Sequence, residues 1–526
     1  MPDYSYRPAA QLRQALLDGA ELALIDLREE AEFARNHPLF AANLPLSKLE
    51  LDIFRRVPRL TTPIIVYDNG EGLAELAVER LHSWGYQDVS LLEGGLQGWQ
   101  RSGGELFQDV NSPSKAFGEL VESKRHTPSL SAEEVKDLIN GQQEVVIVDA
   151  RRFDEYQTMN IPGSISVPGA ELARRIEGLL PSPQTTVIVN CAGRTRSIIG
   201  TQSLRNAGLP NPVYALRNGT IGWTLAGLEL EHGQQRRYDT DFHASAERVA
   251  QVKQLAERAG VIFIDSDTVK RWQRQPERTT YLFDVRSPEE YAAGHLPQSV
   301  SAPGGQLVQE TDHFASVRGA RIVLIADDEI RAPITASWLA QMGWEVAVLN
   351  DVRRDDFNER GTPAISVPPG PQVEEISPQQ LAEQLREPGT VVLDFTTSAN
   401  YVARHIPSAY WLVRSQLRQA LETIPSAERY VVTCGSSLLA RYAVPEVAAL
   451  TGKPVQLLSG GTLAWISAGL ELEHGETHLA TPRSDRYRRP YEGTDNSPAA
   501  MQSYLDWEFG LVEQLARDGT HGFKVL

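Results

Sequence analysis

The chain has 526 residues, 23% of them charged, and a formal net charge of −17. An acidic surface repels polyanions, which excludes nucleic acid or an anionic membrane as the main partner. With no apolar run near the ~20 residues of a membrane span, no secretory leader and only two cysteines, a cytoplasmic protein without a disulfide framework is expected.

In chain order, the first strand-like run is "LALIDLREEAEF" (22–33), with Asp26 in fifth place and Phe33 seven residues later. A second run, "IIVYD" (64–68), a helix-like segment and a third run, "VSLLEGG" (89–95), lead to Trp99. A Pro-bearing stretch at 111–118 closes the unit. The same series then recurs. "VVIVDARRFDEY" (145–156) holds Asp149 and Tyr156, "VIVNC" (187–191) ends on Cys191, and "VYALRNG" (213–219) precedes Trp223. "TYLFDVRSPEEY" (280–291) holds Asp284 and Tyr291, followed by "IVLIAD" (322–327) and "VAVLND" (346–351). "TVVLDFTTSANY" (390–401) holds Asp394 and Tyr401, followed by "YVVTC" (430–434) and "VQLLSGG" (455–461) before Trp465. Proline stands nineteen residues after the aspartate in the first three copies (Pro45, Pro168, Pro303), and Val413 in the fourth.

Short apolar strands alternating with helices indicate βαβ crossovers, hence α/β domains with a parallel sheet and helices on both faces. The expected units are 1–110, 126–238, 258–360 and 371–480, with a helical tail at 481–526. "AGLELEHG" occurs at both 226–233 and 468–475, each time followed by a basic-aromatic stretch and a helical segment. The chain therefore reads as a duplicated pair, in which the second member carries the cysteine and the first does not. The helical segments are expected to pack across domains as structural elements.

Ligands of open parallel sheets bind beyond the carboxyl ends of the strands, where both cysteines sit. Unpaired amides of the loop and of the following helix start favour a thiolate, the nucleophilic form. Around Cys191, Arg194 and Arg196 add charge that would hold an anion. A free cysteine is more often a small buried core residue, but here both occupy the same loop position in separate repeats. No CxxC, HExxH or GxxxxGK[ST] pattern occurs, so neither metal nor other cofactor is expected.

The pattern "VDARRFDEY…IPGSISVP…VIVNCAGRTRS" resembles the rhodanese domains, α/β sulfurtransferases, and the resemblance extends over nearly the whole chain as four tandem copies. It implies that Cys191 attacks the outer sulfur of a small anionic donor such as thiosulfate, carries it as a persulfide, and yields it to cyanide, a thiol or a protein acceptor. Ala192, Gly193, Arg194, Thr195, Arg196 and Ser197 would form the substrate-binding loop, its amides stabilising the persulfide and its arginines the sulfonate. The loop "CGSSLLARYA" of Cys434, with Gly435, Ser436 and Ser437, is similar to that of mercaptopyruvate sulfurtransferases, where the hydroxyls would aid proton transfer. Phe395 and Thr396 replace the "DxR" arginine there, which weakens the case for Cys434, and Arg414 or Arg441 is left to supply charge. Asp149 and Arg151 are expected to form a structural pair beside the loop.

"DNGEG" (68–72) and "ADDEI" (326–330) replace the thiol loop in the first and third copies, which should be silent, with substrate entering at the seam between halves. Phosphatases of this fold need arginine six residues after the cysteine; those positions hold Ser197 and Ala440, against that chemistry. A non-catalytic scaffold or persulfide carrier is the alternative from a different class.

Overall fold

A computed structural model describes residues 3–526. In the first repeat Tyr6–Arg7 (β1), Ala23–Asp26 (β2), Ala42–Asn43 (β3), Ile64–Tyr67 (β4) and Val89–Leu92 (β5) form a parallel sheet of order β1-β5-β4-β2-β3. The second repeat gives β6 (Ser129–Leu130), β7 (Val145–Asp149), β8 (Ile165–Ser166), β9 (Thr186–Asn190) and β10 (Val213–Leu216). The third gives β11 (Ile262–Ile264), β12 (Thr280–Asp284), β13 (Val300–Ser301), β14 (Arg321–Ile325) and β15 (Glu345–Leu349). The fourth gives β16 (Glu375–Ile376), β17 (Thr390–Asp394), β18 (Tyr410–Trp411), β19 (Arg429–Thr433) and β20 (Val455–Leu458). All four sheets share one order. The three central strands of each are the apolar runs of the sequence. The edge strands have two or three residues, too few to leave an apolar pattern.

The register fixes the equivalences. Asp26, Asp149, Asp284 and Asp394 end β2, β7, β12 and β17, opposite Tyr67, Asn190, Ile325 and Thr433. The next residue in each neighbouring strand is Asp68, Cys191, Ala326 or Cys434. Trp99, Trp223 and Trp465 are buried, each indole N–H donating to the carbonyl six residues on.

The repeats are not packed as beads. One apolar core joins the first and third repeats, from Ile25 and Val66 to Phe283, Leu324 and Trp338, and takes in Leu511, Leu515 and Phe523 of the tail. The second and fourth repeats have cores of their own. The tail crosses repeats through Tyr487–Asp109, Arg489–Glu30 and Arg517–Glu105, and the Lys524 amide donates to the Gln341 carbonyl. No helix among the described residues is long and apolar enough to cross a membrane.

Candidate active site

Cys191 follows β9 directly, and helix Thr195–Asn206 starts four residues later. The loop is held from behind by the turn after β10. Thr220 and Ile221 amides donate to the Cys191 and Ala192 carbonyls at 3.0 and 3.1 Å. Gly219 has φ +56°, and a Cβ there would lie 2.3 Å from the Cys191 carbonyl oxygen. Only glycine fits, which explains the "NG" and "GG" turns of the thiol-bearing repeats. Gly461 repeats the arrangement with φ +67° and 2.5 Å to the Cys434 oxygen.

Ser197 lies beside the Cys191 sulfur, its hydroxyl donating to the Arg194 carbonyl at 2.8 Å, and Arg196 is the cation nearest in effect. Burial nevertheless dominates and pushes the thiol above its ordinary range, with Arg196 and Ser197 opposing. The structure thus opposes the loop's cationic and amide support with the burial of the sulfur itself. Arg196 forms a bidentate pair with Glu155 at 2.8 and 3.1 Å, and despite burial that partner is held down at about 2. Arg194 does not face the thiol. It is buried between Glu119 (2.6 and 3.0 Å) and Glu122 (2.6 Å), with its guanidinium 4.3 Å from the Phe509 ring centre. Its charge is spent within the protein, so it is not a free anion-binding group. Thr195 packs against Gly118.

The loop is also covered. Helix Pro498–Phe509 of the tail lies on it, so that a Cβ on Gly193 would be 3.1 Å from Tyr504 and 3.8 Å from both Glu508 carboxyl oxygens. Cys191 is 1% exposed. Glu508 is equally buried, and neither oxygen has a hydrogen-bond partner; Tyr504, one turn earlier, approaches without hydrogen-bonding geometry. Burial, then the nearby Glu119, raises Glu508 to about 8.

The Cys434 loop is more open. Cys434 is buried, but Gly435 is half-buried and Ser436 exposed. Amides of Ala440, Leu439 and Ser437 turn to the sulfur and oppose the upward push of burial. Ser437 has φ +69° and its hydroxyl donates to the Leu458 carbonyl at 2.6 Å, so its proton is committed; Ser436 accepts from the Leu438 amide. Arg414 is bound by Glu50 and Glu446, and Arg441 by Glu375. Neither is left to hold a substrate.

A cavity of about 970 Å³ opens at the carboxyl ends of the strands of the second and third repeats. Arg196 and Gly169 on one side, Arg286 and Gly304 on the other, Glu30 and Thr397 from the remaining repeats and Tyr491 from the tail all reach it. Arg196 lines this cavity, whereas Cys191 does not.

Residues 8–102, 131–226, 250–351 and 377–468 match the Rhodanese-like domain family. The chain belongs to the rhodanese family. Over 99% of its length and all of the other chain, it superposes on a crystal structure of thiosulfate sulfurtransferase from Pseudomonas aeruginosa, with TM-score 0.97 and 65% identity. It is a rhodanese-family sulfurtransferase. Single-repeat likeness extends to an HTH-type transcriptional regulator of Mycobacterium tuberculosis, 36% identical over 17% of this chain and 39% of that protein. A putative sulfur carrier protein of Bacillus subtilis is 21% identical over 24% of this chain and 72% of its own length. The chain thus spans under half of the regulator.

Within the rhodanese repeats, the thiol-free loops fill their own anion cradles. Asp68 accepts from the amides of Gly70, Leu73 and Ala74, and Asp328 from those of Ile330 and Arg331. An internal carboxylate occupies the donors an external anion would need. In the "DxR" pairs, Arg151 bonds both Asp149 oxygens and the Met159 carbonyl, and Arg28 and Arg286 repeat this with the Asn36 and Gly294 carbonyls. Sequence reasoning missed Glu155, Glu119, Glu122 and Glu508. For the first a signal existed: Glu155–Arg196 and Glu290–Arg331 have the same separation of 41.

Proposed function

We propose that the chain moves sulfane sulfur from thiosulfate to a thiophilic acceptor through a persulfide on Cys191. The observation that carries this is the meeting, in the second repeat alone, of a strand-end thiol with a cation, Arg196, at the rim of the cavity; the whole-chain likeness to a thiosulfate sulfurtransferase supports it. The Cys191 thiolate attacks the outer sulfur of thiosulfate. An S–S bond forms, the bond to the sulfonate sulfur breaks, and sulfite leaves with the electron pair. Cyanide then takes the outer sulfur as thiocyanate and restores the thiolate; a small thiol or a protein thiol serves in its place. This is two-step covalent catalysis. Arg196 offsets the charge of donor and thiolate, and helix Pro498–Phe509 lifts to admit the donor. Two unpaired cysteines fit a reducing, cytoplasmic setting. Units 126–238 and 371–480 are the catalytic ones in this reading.

The open loop and three inward amides at Cys434 favour a second reading, in which that thiol serves a carboxylate-bearing α-keto thiol such as mercaptopyruvate. Thiocyanate formation with either donor, and the mass of one added sulfur, measured in Cys191→Ser and Cys434→Ser separately, tests both. Thiosulfate activity lost only in Cys191→Ser is the expected result. A wild type that takes sulfur from neither donor overturns the enzyme reading in favour of a scaffold.

A further inference from the structure

Arg196 has a counterpart in the third repeat, and carboxylates saturate the two to different degrees. Each arginine stands five places after the residue that follows the central strand, Cys191 after β9 and Ala326 after β14. Arg331 is fully buried and meets four carboxylates: Glu290, Asp327 and Asp328 of its own repeat, and Glu171 of the second. The thiol loop has Ala192 and Gly193 where Asp327 and Asp328 stand. Arg196 therefore keeps only the counterpart of Glu290, which is Glu155 on helix Phe153–Thr158, in a bidentate pair at 2.8 and 3.1 Å. Among the described residues it has no other hydrogen-bonded partner, and the two side chains remain 18% and 21% exposed. Both line the large cavity, and the residue next to Arg196, Ser197, lies beside the Cys191 sulfur. The first repeat has Leu73 in place of the arginine, and the fourth has Asn400 in place of the glutamate. A thiol beside a neutralised guanidinium is thus peculiar to the second repeat.

We propose, building on the persulfide chemistry of Cys191 above, that Glu155 determines the specificity for donor charge. By pairing with Arg196 it leaves the site without a net cation, so that a sulfane-sulfur donor with two negative charges gains little over a donor with one. A lone guanidinium attracts a dianion twice as strongly as a monoanion, because the Coulomb energy is proportional to the charge. A guanidinium–carboxylate pair presents a dipole instead, and its remaining N–H groups offer a hydrogen bond that either donor accepts. The neighbouring charges are also cancelled: Arg194 is enclosed by Glu119 and Glu122, and Arg151 by Asp149. Against burial, Arg196 holds Glu155 at about 2, so this carboxylate is ionised at every working pH. With either donor the Cys191 thiolate attacks the outer sulfur. An S–S bond forms, the bond from that sulfur to the sulfonyl sulfur breaks, and sulfite or a sulfinate leaves with the electron pair.

The measurement is a ratio of rates in the full chain carrying Cys434→Ser. Sulfur loading of Cys191 is followed by mass spectrometry at pH 6.5, where Glu508, raised by burial to about 8, is uncharged. The donors are thiosulfate, a dianion, and methanethiosulfonate, a monoanion; both leave the same persulfide. Glu155→Gln removes the charge and keeps an oxygen for the Arg152 amide. It should raise the thiosulfate-to-thiosulfonate ratio about fivefold or more, the effect of a unit charge over several ångströms near a protein surface after screening. Glu155→Asp, which keeps the charge, should stay within about twofold of the parent on the same grounds. A structural role slows both donors alike, so a ratio unchanged or lowered in Glu155→Gln, or raised equally in Glu155→Asp, overturns the proposal. Iodoacetate and iodoacetamide, an anionic and a neutral alkylator of the same thiolate, give a second ratio in which thiol ionisation cancels. If the parent takes sulfur from neither donor but this second ratio rises in Glu155→Gln, the sulfurtransferase reading of Cys191 falls while the charge role of Glu155 stands. If both donors load and neither ratio moves, the charge role alone falls.

Discussion

Gly219 and Gly227 both have positive φ, +56° and +74°, yet their surroundings differ completely. A Cβ on Gly219 would collide with the Cys191 and Ala192 backbone, whereas one on Gly227 would meet nothing within 4 Å. Alanine at either position carries the left-handed penalty, roughly 1 kcal/mol; only at Gly219 must the thiol loop move. Gly219→Ala is therefore expected to cut persulfide formation on Cys191 by an order of magnitude or more, with Gly227→Ala within about twofold of wild type, since a 1 Å misplacement can cost about a hundredfold. Mass spectrometry after thiosulfate treatment reads both. At this scale the sequence exposed much of the chemistry: the two thiols, their strand-end position and the Asp149–Arg151 pair need only local pattern. Arg194 was misjudged because its carboxylate partners, Glu119 and Glu122, lie more than seventy residues earlier. The loss of arginine at Thr396 was visible, but not that it leaves a carboxyl free, which takes coordinates.

At the scale of elements, the sequence marks 481–526 as a helical tail, but not that one of its helices lies over Cys191. The buried stripe of that helix is Met501, Tyr504, Leu505 and Glu508, and a glutamate in the fourth place breaks the apolar period. Ser497 and Pro498 are its cap and first-turn residues, with Ser497 accepting from the Ala500 amide. That same glutamate makes the lid sensitive to pH. Seated, Glu508 titrates at about 8; released into water it returns to the ordinary carboxylate range near 4.5. The seated state thus binds the proton more tightly. Its stability is full below about 4.5 and is lost as pH rises toward 8, by up to about 1.4 kcal/mol per unit. In a Cys434→Ser background, alkylation of Cys191 should rise more steeply over this window than ionisation of the thiol alone allows. Glu508→Gln, which cannot ionise, should remove the excess steepness. A variant profile identical to wild type would show that the helix does not open in response to this carboxyl.

The whole molecule is organised around the repeats that have no thiol. The first and third share one apolar core, to which the tail adds Leu511, Leu515 and Phe523, and the second repeat joins the third through buried groups. Arg331, fully buried, binds Glu171 of the second repeat and Glu290, Asp327 and Asp328 of its own, while Trp338 donates to Ser203. The fourth repeat meets the first mainly through ion pairs, Arg414–Glu50 and Arg80–Glu446, with Leu51 as a partly buried apolar contact. Burial of apolar surface couples folding far more strongly than ion pairs do, because a buried pair such as Arg414–Glu50 spends most of its attraction on desolvation and a partly exposed one such as Arg80–Glu446 is screened. Scanning calorimetry should therefore resolve two transitions, a large one for the first three repeats with the tail and a smaller one for the fourth. Leu324→Ala removes a fully buried side chain from the shared core, at a cost of about 2–5 kcal/mol. It should lower the large transition and, because the second repeat melts within it, the temperature at which Cys191 stops accepting sulfur, leaving the small transition in place. Were the repeats independent, the same substitution would shift only a quarter of the heat and leave Cys191 untouched.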